Sequence, residues 1–217
     1  MKSTYAGFEQ GPIRPPSESA SLLIRVTRNC PWNRCTFCPV YKGAKFSLRP
    51  VDHVLRDIDA VSRQVTVLHN HLEVHGQISY RDLNRFADGF DEGDRTALYA
   101  AYSWLDGGMQ SIFLQDANSL VIKPDDLILI LDHIHESFPW VERITSYARS
   151  QTIDRISEVA LARISVAGLN RIHIGLESGA DDVLQLVQKG TDQAMHIRAG
   201  QKVKASGMEL SEYVMPG

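Results

Sequence analysis

The sequence predicts an α/β fold built on parallel strands, as an open sheet or a barrel. Two observations carry this. From residue 111 onward, short apolar segments rich in β-branched residues alternate with stretches of helical period, and that alternation makes parallel sheets. The chain has 217 residues, 43% of them apolar, which is enough to bury one sizeable core.

Residues 1–20 are polar and carry Pro12, Pro15 and Pro16, so they read as an extended lead-in. "SLLIRVT" (21–27) is short, apolar and β-branched, hence a strand. Pro50 suits the first turn of a helix reaching about Leu68, with Val51, Val54, Leu55, Ile58 and Val61 on one face. Residues 69–108 are polar and interrupted by glycine, which marks an insertion; within them "RTALYAAYSWLDGG" reads as a helix stopped by Gly107-Gly108. The regular part follows. Strands are expected over 111–118, 141–150, 171–179 and 208–214, and helices over 124–138, 152–168, 180–190 and 191–207.

Composition narrows the function. The net charge is −3, from 23 basic and 26 acidic residues, so neither nucleic acid nor an anionic membrane is indicated as a partner. No apolar run approaches the roughly 18 residues of a membrane span. The N-terminus lacks the apolar stretch of a signal peptide, which points to the cytoplasm, where thiols stay reduced.

All three cysteines, Cys30, Cys35 and Cys38, fall in "TRNCPWNRCTFCPVYKG", directly after the first strand. An odd, clustered set in a reducing compartment reads as metal ligation or thiol chemistry. Three thiolates can hold a [4Fe–4S] cluster at three of its irons, leaving the fourth open to a chelating small molecule. Zinc is the rival, but only Cys35 and Cys38 have the usual paired spacing, and the one further candidate ligand, His53, lies on the expected helix. The carboxyl ends of parallel strands face the side where chemistry is done. There the strands present Asp116 and Asn118, then Tyr147, Arg149 and Ser150, then Glu177 and Ser178, then Met215. For Ser178, capping the following helix competes with a ligand role.

These residues resemble the radical S-adenosylmethionine (SAM) superfamily. Its motif is C-x3-C-x-Φ-C after the first strand of a partial TIM-like (β/α) barrel; here Phe37 holds the aromatic position, and the first spacing, Cys30 to Cys35, is one residue longer. "IHIGLESGADDVLQLVQKGTD" is similar to the fourth-strand region of the subgroup with oxygen-independent coproporphyrinogen oxidases, methylthiotransferases and Elp3-like enzymes. "IFLQDANSLVIKPDDLILIL" and "VERITSYARS" resemble its second and third units, so the resemblance covers about residues 20–217.

The resemblance implies a [4Fe–4S] cluster on Cys30, Cys35 and Cys38, and SAM on its open iron. It implies reductive cleavage of SAM to a 5′-deoxyadenosyl radical that takes hydrogen from a substrate. Phe37 would pack near the adenine. Asp116 and Asn118 would meet the methionine amino group, although "QDAN" replaces the usual Gly-Gly-Glu. Arg149 would pair with the methionine carboxylate, and Glu177, with Ser178 beside it, would hold the ribose. An electron donor such as a flavodoxin or ferredoxin is implied as a partner, and the substrate is left open. The family core has six βα units and five strands are visible, so a C-terminally incomplete core is expected. The alternative from another class is a non-catalytic iron–sulfur or zinc protein. Three further features read as scaffold: His71 and His75 in "HNHLEVH", one helical turn apart, "DHIH" at 132–135, and the aromatics of "LYAAYSW".

Overall fold

The computed structural model describes residues 4–216; the first three residues of the lead-in and Gly217 lie outside the described residues. The strands are β1 (Leu22–Arg25), β2 (Thr27–Arg28), β3 (Ser47–Leu48), β4 (Ser111–Gln115), β5 (Arg143–Tyr147), β6 (Leu169–Glu177) and β7 (Glu209–Val214). Five of them form one sheet in the order β1-β4-β5-β6-β7, and every pair is parallel. The five expected strands are therefore present, adjacent in chain order. β1 and β7 share no ladder, so the sheet is a partial (β/α) barrel rather than a closed one. β2 and β3 pair antiparallel in a separate two-stranded ribbon.

The helices are α1 (Val51–His75), α2 (Tyr80–Phe86), α3 (Glu92–Asp106), α4 (Pro124–Ser137), α5 (Ser150–Arg155), α6 (Glu158–Val166), α7 (Asp181–Leu186) and α8 (Gln193–Ala205). None is long and apolar enough to cross a membrane. The strands show why the layers form. Ile112, Leu114, Ile144, Ile172 and Ile174 alternate along β4, β5 and β6 and are buried. On the opposite parity lie Phe113, Thr145, Tyr147, His173 and Tyr213, whose rings meet edge-on or tilted at 5.3–6.0 Å for Phe113–Tyr147, Tyr147–His173 and Tyr147–Tyr213. The inner face is thus aromatic and polar, unlike the aliphatic outer one.

Three boundaries differ from expectation. α1 runs past Leu68 to His75 and stops at Gly76, whose φ of 72° is the left-handed stop glycine favours. Its last turns are held by α2, where His71 meets Phe86 edge-on at 5.1 Å. α2 has no strong apolar period, but its start is written in Ser79 and Asp82, which cap each other's backbone N–H groups. The helix expected over 152–168 is two, α5 and α6, because Ser157 starts a new helix by accepting from the Ala160 N–H at 3.2 Å.

The lead-in is not a passive tail. Glu18, in a short 3-10 turn, is fully buried beneath the sheet. Its carboxylate accepts from Ser21 Oγ at 2.5 Å and from His173 Nε2 at 3.1 Å, with Arg143 at 3.7 Å. Burial pushes the Glu18 carboxyl up, but His173, Ser21 and Arg143 outweigh burial and hold it below the usual range. Glu18→Ala leaves Ser21 and His173 buried and unanswered and Arg143 without its carboxylate, so unfolding in urea should show a loss of about 3–5 kcal/mol. Ser17→Ala, at an exposed neighbour, should stay within about 0.5 kcal/mol. Equal effects would mean that Glu18 is not the anchor.

Candidate cofactor site at the carboxyl ends of the strands

β1 leads through Val26 into β2, and the β2–β3 ribbon ties off the loop that carries the cysteines. Two asparagines shape that loop. Asn29 and Asn33 have φ of 67° and 48°, a region asparagine tolerates better than most residues. Asn29 Nδ2 donates to the Lys45 carbonyl at 2.7 Å, and Asn33 Nδ2 to the Tyr41 carbonyl at 2.5 Å. The loop is fastened to the sheet by Asp116. Its fully buried carboxylate accepts from Arg25 Nε at 2.7 Å, Asn29 N at 3.0 Å and Tyr41 Oη at 2.7 Å.

Cys30, Cys35 and Cys38 are free, half-buried thiols. They line one cavity of about 210 Å³ together with Phe37, Arg149 and Glu177. Burial pushes the Cys35 thiol up; Lys189 and Arg149 pull it down, while charge on Cys30 and Cys38 pushes it up again. Burial lowers the Arg149 pKa, and the Cys30 and Cys35 thiols raise it. The Arg149 guanidinium donates to the Lys189 carbonyl at 2.6 Å and lies 4.8 Å over the Trp32 ring. Among the described residues it has no carboxylate partner. Glu177 has φ of 65° and is paired with Lys189 Nζ at 2.7 Å.

Six of the nine sequence-derived site residues therefore converge: Cys30, Cys35, Phe37, Cys38, Arg149 and Glu177. Asp116, Asn118 and Ser178 do not line the cavity. Asp116 and Asn118, expected to meet a methionine amino group, both have partners within the fold. Asp116 accepts from Arg25, Asn29 and Tyr41. Asn118, also buried, donates to Thr152 Oγ1 at 2.8 Å and accepts from the Arg149 N–H at 3.2 Å, which sets the backbone that presents Arg149. Ser178 Oγ accepts from the Ala180 N–H at 3.1 Å and caps the turn.

Among the cavity residues that the sequence reading missed are Lys189, Tyr213, Tyr41 and Ile13. Lys189 fell inside an expected helix; α7 ends at Leu186, and the turn after it swings back over the cysteine loop. Thr36 N donates to the Val187 carbonyl at 3.0 Å and Trp32 Nε1 to the Gln188 carbonyl at 2.8 Å. Ile13 arrives because the Gln115 amide grips the lead-in: Oε1 accepts from Gly11 N at 2.6 Å, and Nε2 donates to the Gly11 and Ile13 carbonyls at 2.8 and 2.6 Å. A signal was present only for the turn, in the Lys189-Gly190 pair after an apolar stretch.

No family model matches this chain, and no curated protein matches it. Solved structures do. One is the cobalamin-dependent S-adenosylmethionine radical enzyme OxsB with aqua-cobalamin and S-adenosylmethionine bound, at 20% identity and a TM-score of 0.54, over 90% of this chain and 24% of that one. Another is the radical S-adenosylmethionine methyltransferase TsrM from Kitasatospora setae with cobalamin and a [4Fe–4S] cluster bound, at 14% identity and a TM-score of 0.55, over 89% of this chain and 30% of that one. The chain thus spans about a quarter of the length of OxsB, and its fold is the fold of that part of these radical SAM enzymes.

Two outcomes follow from this geometry. A Cβ on Gly190 would lie 2.3 Å from the Trp32 ring, at a φ of 71°. Gly190→Ala should cost about 1–3 kcal/mol in backbone strain alone and displace Trp32. Alkylation of the three thiols by iodoacetamide should then run faster than in wild type. Gly179→Ala, where a Cβ meets nothing within 4 Å, is the control. Unchanged alkylation in the Gly190 variant would show that the turn does not brace the loop.

The second outcome concerns His196 on α8, whose Nδ1 lies 2.7 Å from Ser150 Oγ, next to Arg149. Burial foremost, then Lys189 and Arg149 working against Asp192, hold its pKa down to about 4 from 6.5. The folded chain keeps this imidazole neutral where the unfolded chain takes up a proton. Its contribution is complete above about pH 6.5 and is lost as pH falls toward 4, by about 3 kcal/mol in all. Urea unfolding at pH 7 and pH 4.5 should show this loss, and His196→Gln should lack that share of it. Parallel pH profiles for both proteins would remove His196 as the cause.

Proposed function

We propose that this chain is the core of a radical SAM enzyme. Cys30, Cys35 and Cys38 hold a [4Fe–4S] cluster, and the cavity beside them takes SAM. The observation that carries this is the convergence, at the carboxyl ends of parallel strands, of three thiols, an unpaired guanidinium and a carboxylate on one cavity. The donor set fits the cluster. Thiolates are the usual ligands of iron–sulfur centres, and the three cysteines line one cavity. Among the described residues no three or more His, Cys, Asp or Glu side chains are placed to hold a single metal ion.

Cys30, Cys35 and Cys38 would hold a cluster able to supply the one electron that splits SAM into methionine and a 5′-deoxyadenosyl radical. The chain's own groups do the placing. Arg149 offers a planar fork for the methionine carboxylate. Glu177 accepts hydrogen bonds from the ribose hydroxyls, and Phe37 covers the adenine. Tyr147 and Tyr213 line the same cavity. Asp116 and Asn118 serve indirectly, by fixing the cysteine loop and the Arg149 backbone. The reading calls for a one-electron donor such as a flavodoxin or ferredoxin.

The test is anaerobic reconstitution with iron and sulfide, reduction with dithionite, and addition of SAM. Visible absorption of a [4Fe–4S] cluster and release of 5′-deoxyadenosine are expected, and Cys30→Ala, Cys35→Ala or Cys38→Ala should each abolish both. Glu177→Ala should weaken SAM binding by about 1–3 kcal/mol with the iron content unchanged. A stable cluster that never cleaves SAM would favour a non-catalytic iron–sulfur protein.

A further inference from the structure

We infer that Lys189 is the positioning residue of the cavity: it takes one oxygen of Glu177 and leaves the other free for a vicinal diol. The inference rests on the SAM reading above, because a ribose supplies that diol.

Lys189 ties together three of the converging side chains. Its Nζ lies 2.7 Å from Glu177 Oε1, with both side chains only 12% exposed. The same ammonium stands 5.8 Å from the centre of the Phe37 ring. Its carbonyl accepts from the Arg149 guanidinium at 2.6 Å. The backbone is built to present it, since Gln188 and Gly190 on either side have φ of 52° and 71°. Gly175, on the near side of the irregularity in β6 that precedes Glu177, leaves the hollow in which the pair sits. A Cβ there would lie 2.4 Å from Glu177 Oε1 and 2.7 Å from Lys189 Nζ.

An exposed ion pair would need none of this. Withdrawing two charges from water stabilises a fold poorly, whereas a fixed charge with one acceptor left open is useful for recognition. Among the described residues Glu177 Oε2 has no hydrogen-bond partner. A carboxylate oxygen has two lone-pair directions and can accept from two adjacent hydroxyls. Without the ammonium, Glu177 could swing toward solvent from its left-handed backbone position. Lys189 therefore acts through Glu177.

A double-mutant cycle tests this, with SAM binding to the reconstituted protein as readout. Lys189→Met and Glu177→Gln should each weaken binding about tenfold or more. The double variant should be no weaker than the poorer single variant. Lys189→Arg, which keeps the charge, should recover most of the loss. Iron content and thermal midpoint, read alongside, should stay near wild type, a combination that general destabilisation would not produce. If Lys189→Met leaves affinity unchanged, or weakens it equally with and without Glu177→Gln, the inference falls while the SAM reading stands. If Lys189→Met does not fold, failure of Lys189→Arg to bind overturns it in the same way. If the wild-type protein loads its cluster but binds no SAM, both fall together.

Discussion

One buried carboxylate holds the candidate site to the sheet. Asp116 follows β4 with a φ of 127° and no exposed surface, and receives Arg25 from β1, the Asn29 amide and the Tyr41 hydroxyl. Each partner belongs to a different part of the site's frame: the first strand, the start of the cysteine loop and its far limb. An ionised carboxylate in this setting is tolerable only while its partners are present, since breaking a buried pair exposes the full desolvation cost. The loop is thus held by charge and hydrogen bonding rather than by apolar packing.

The cavity works against its own burial. Partial withdrawal from water disfavours the Cys35 thiolate and the Arg149 cation alike. The neighbouring charges reduce these shifts without cancelling them, so burial leaves the Cys35 thiol above its ordinary value and the Arg149 guanidinium below its own. Structure around them limits how far either can relax. Arg149 is stacked on Trp32, bonded to the Lys189 carbonyl and set by Asn118, while neutral His196 braces the next residue. Charges fixed in this way need little rearrangement when a ligand arrives, which is where preorganised sites gain over water.

The open sheet explains the lead-in. A closed barrel would fill its interior with side chains from all its strands. Here five strands leave one side open, and the N-terminal segment supplies part of what is missing. Glu18 seals the floor through His173 and Ser21, and Gln115 draws Gly11 and Ile13 across the inner face toward the cavity. Floor and mouth are therefore linked through the inner aromatic residues Tyr147, His173 and Tyr213.

Strand and helix order could be read from the sequence because both depend on local period. Ile112, Leu114, Ile144, Ile172 and Ile174 announce strands buried on one face, and the helices between them leave parallel pairing as the only short connection. The cysteine loop was equally plain, since three thiols within nine residues need no tertiary partner to be noticed. The carboxyl-end position of Arg149 and Glu177 followed from strand direction alone. What one dimension could not tell is which polar strand ends look inward to a ligand and which are consumed by the fold. Asp116 just past β4 and Glu177 at the end of β6 are both single carboxylates, yet one takes three distant donors while the other, among the described residues, takes only Lys189. Lys189, Tyr213 and Ile13 were invisible for the same reason. Their places depend on a turn, an edge strand and a gripped backbone that meet only once the sheet has curled, and burial and hydrogen-bond saturation are properties of neighbours in space.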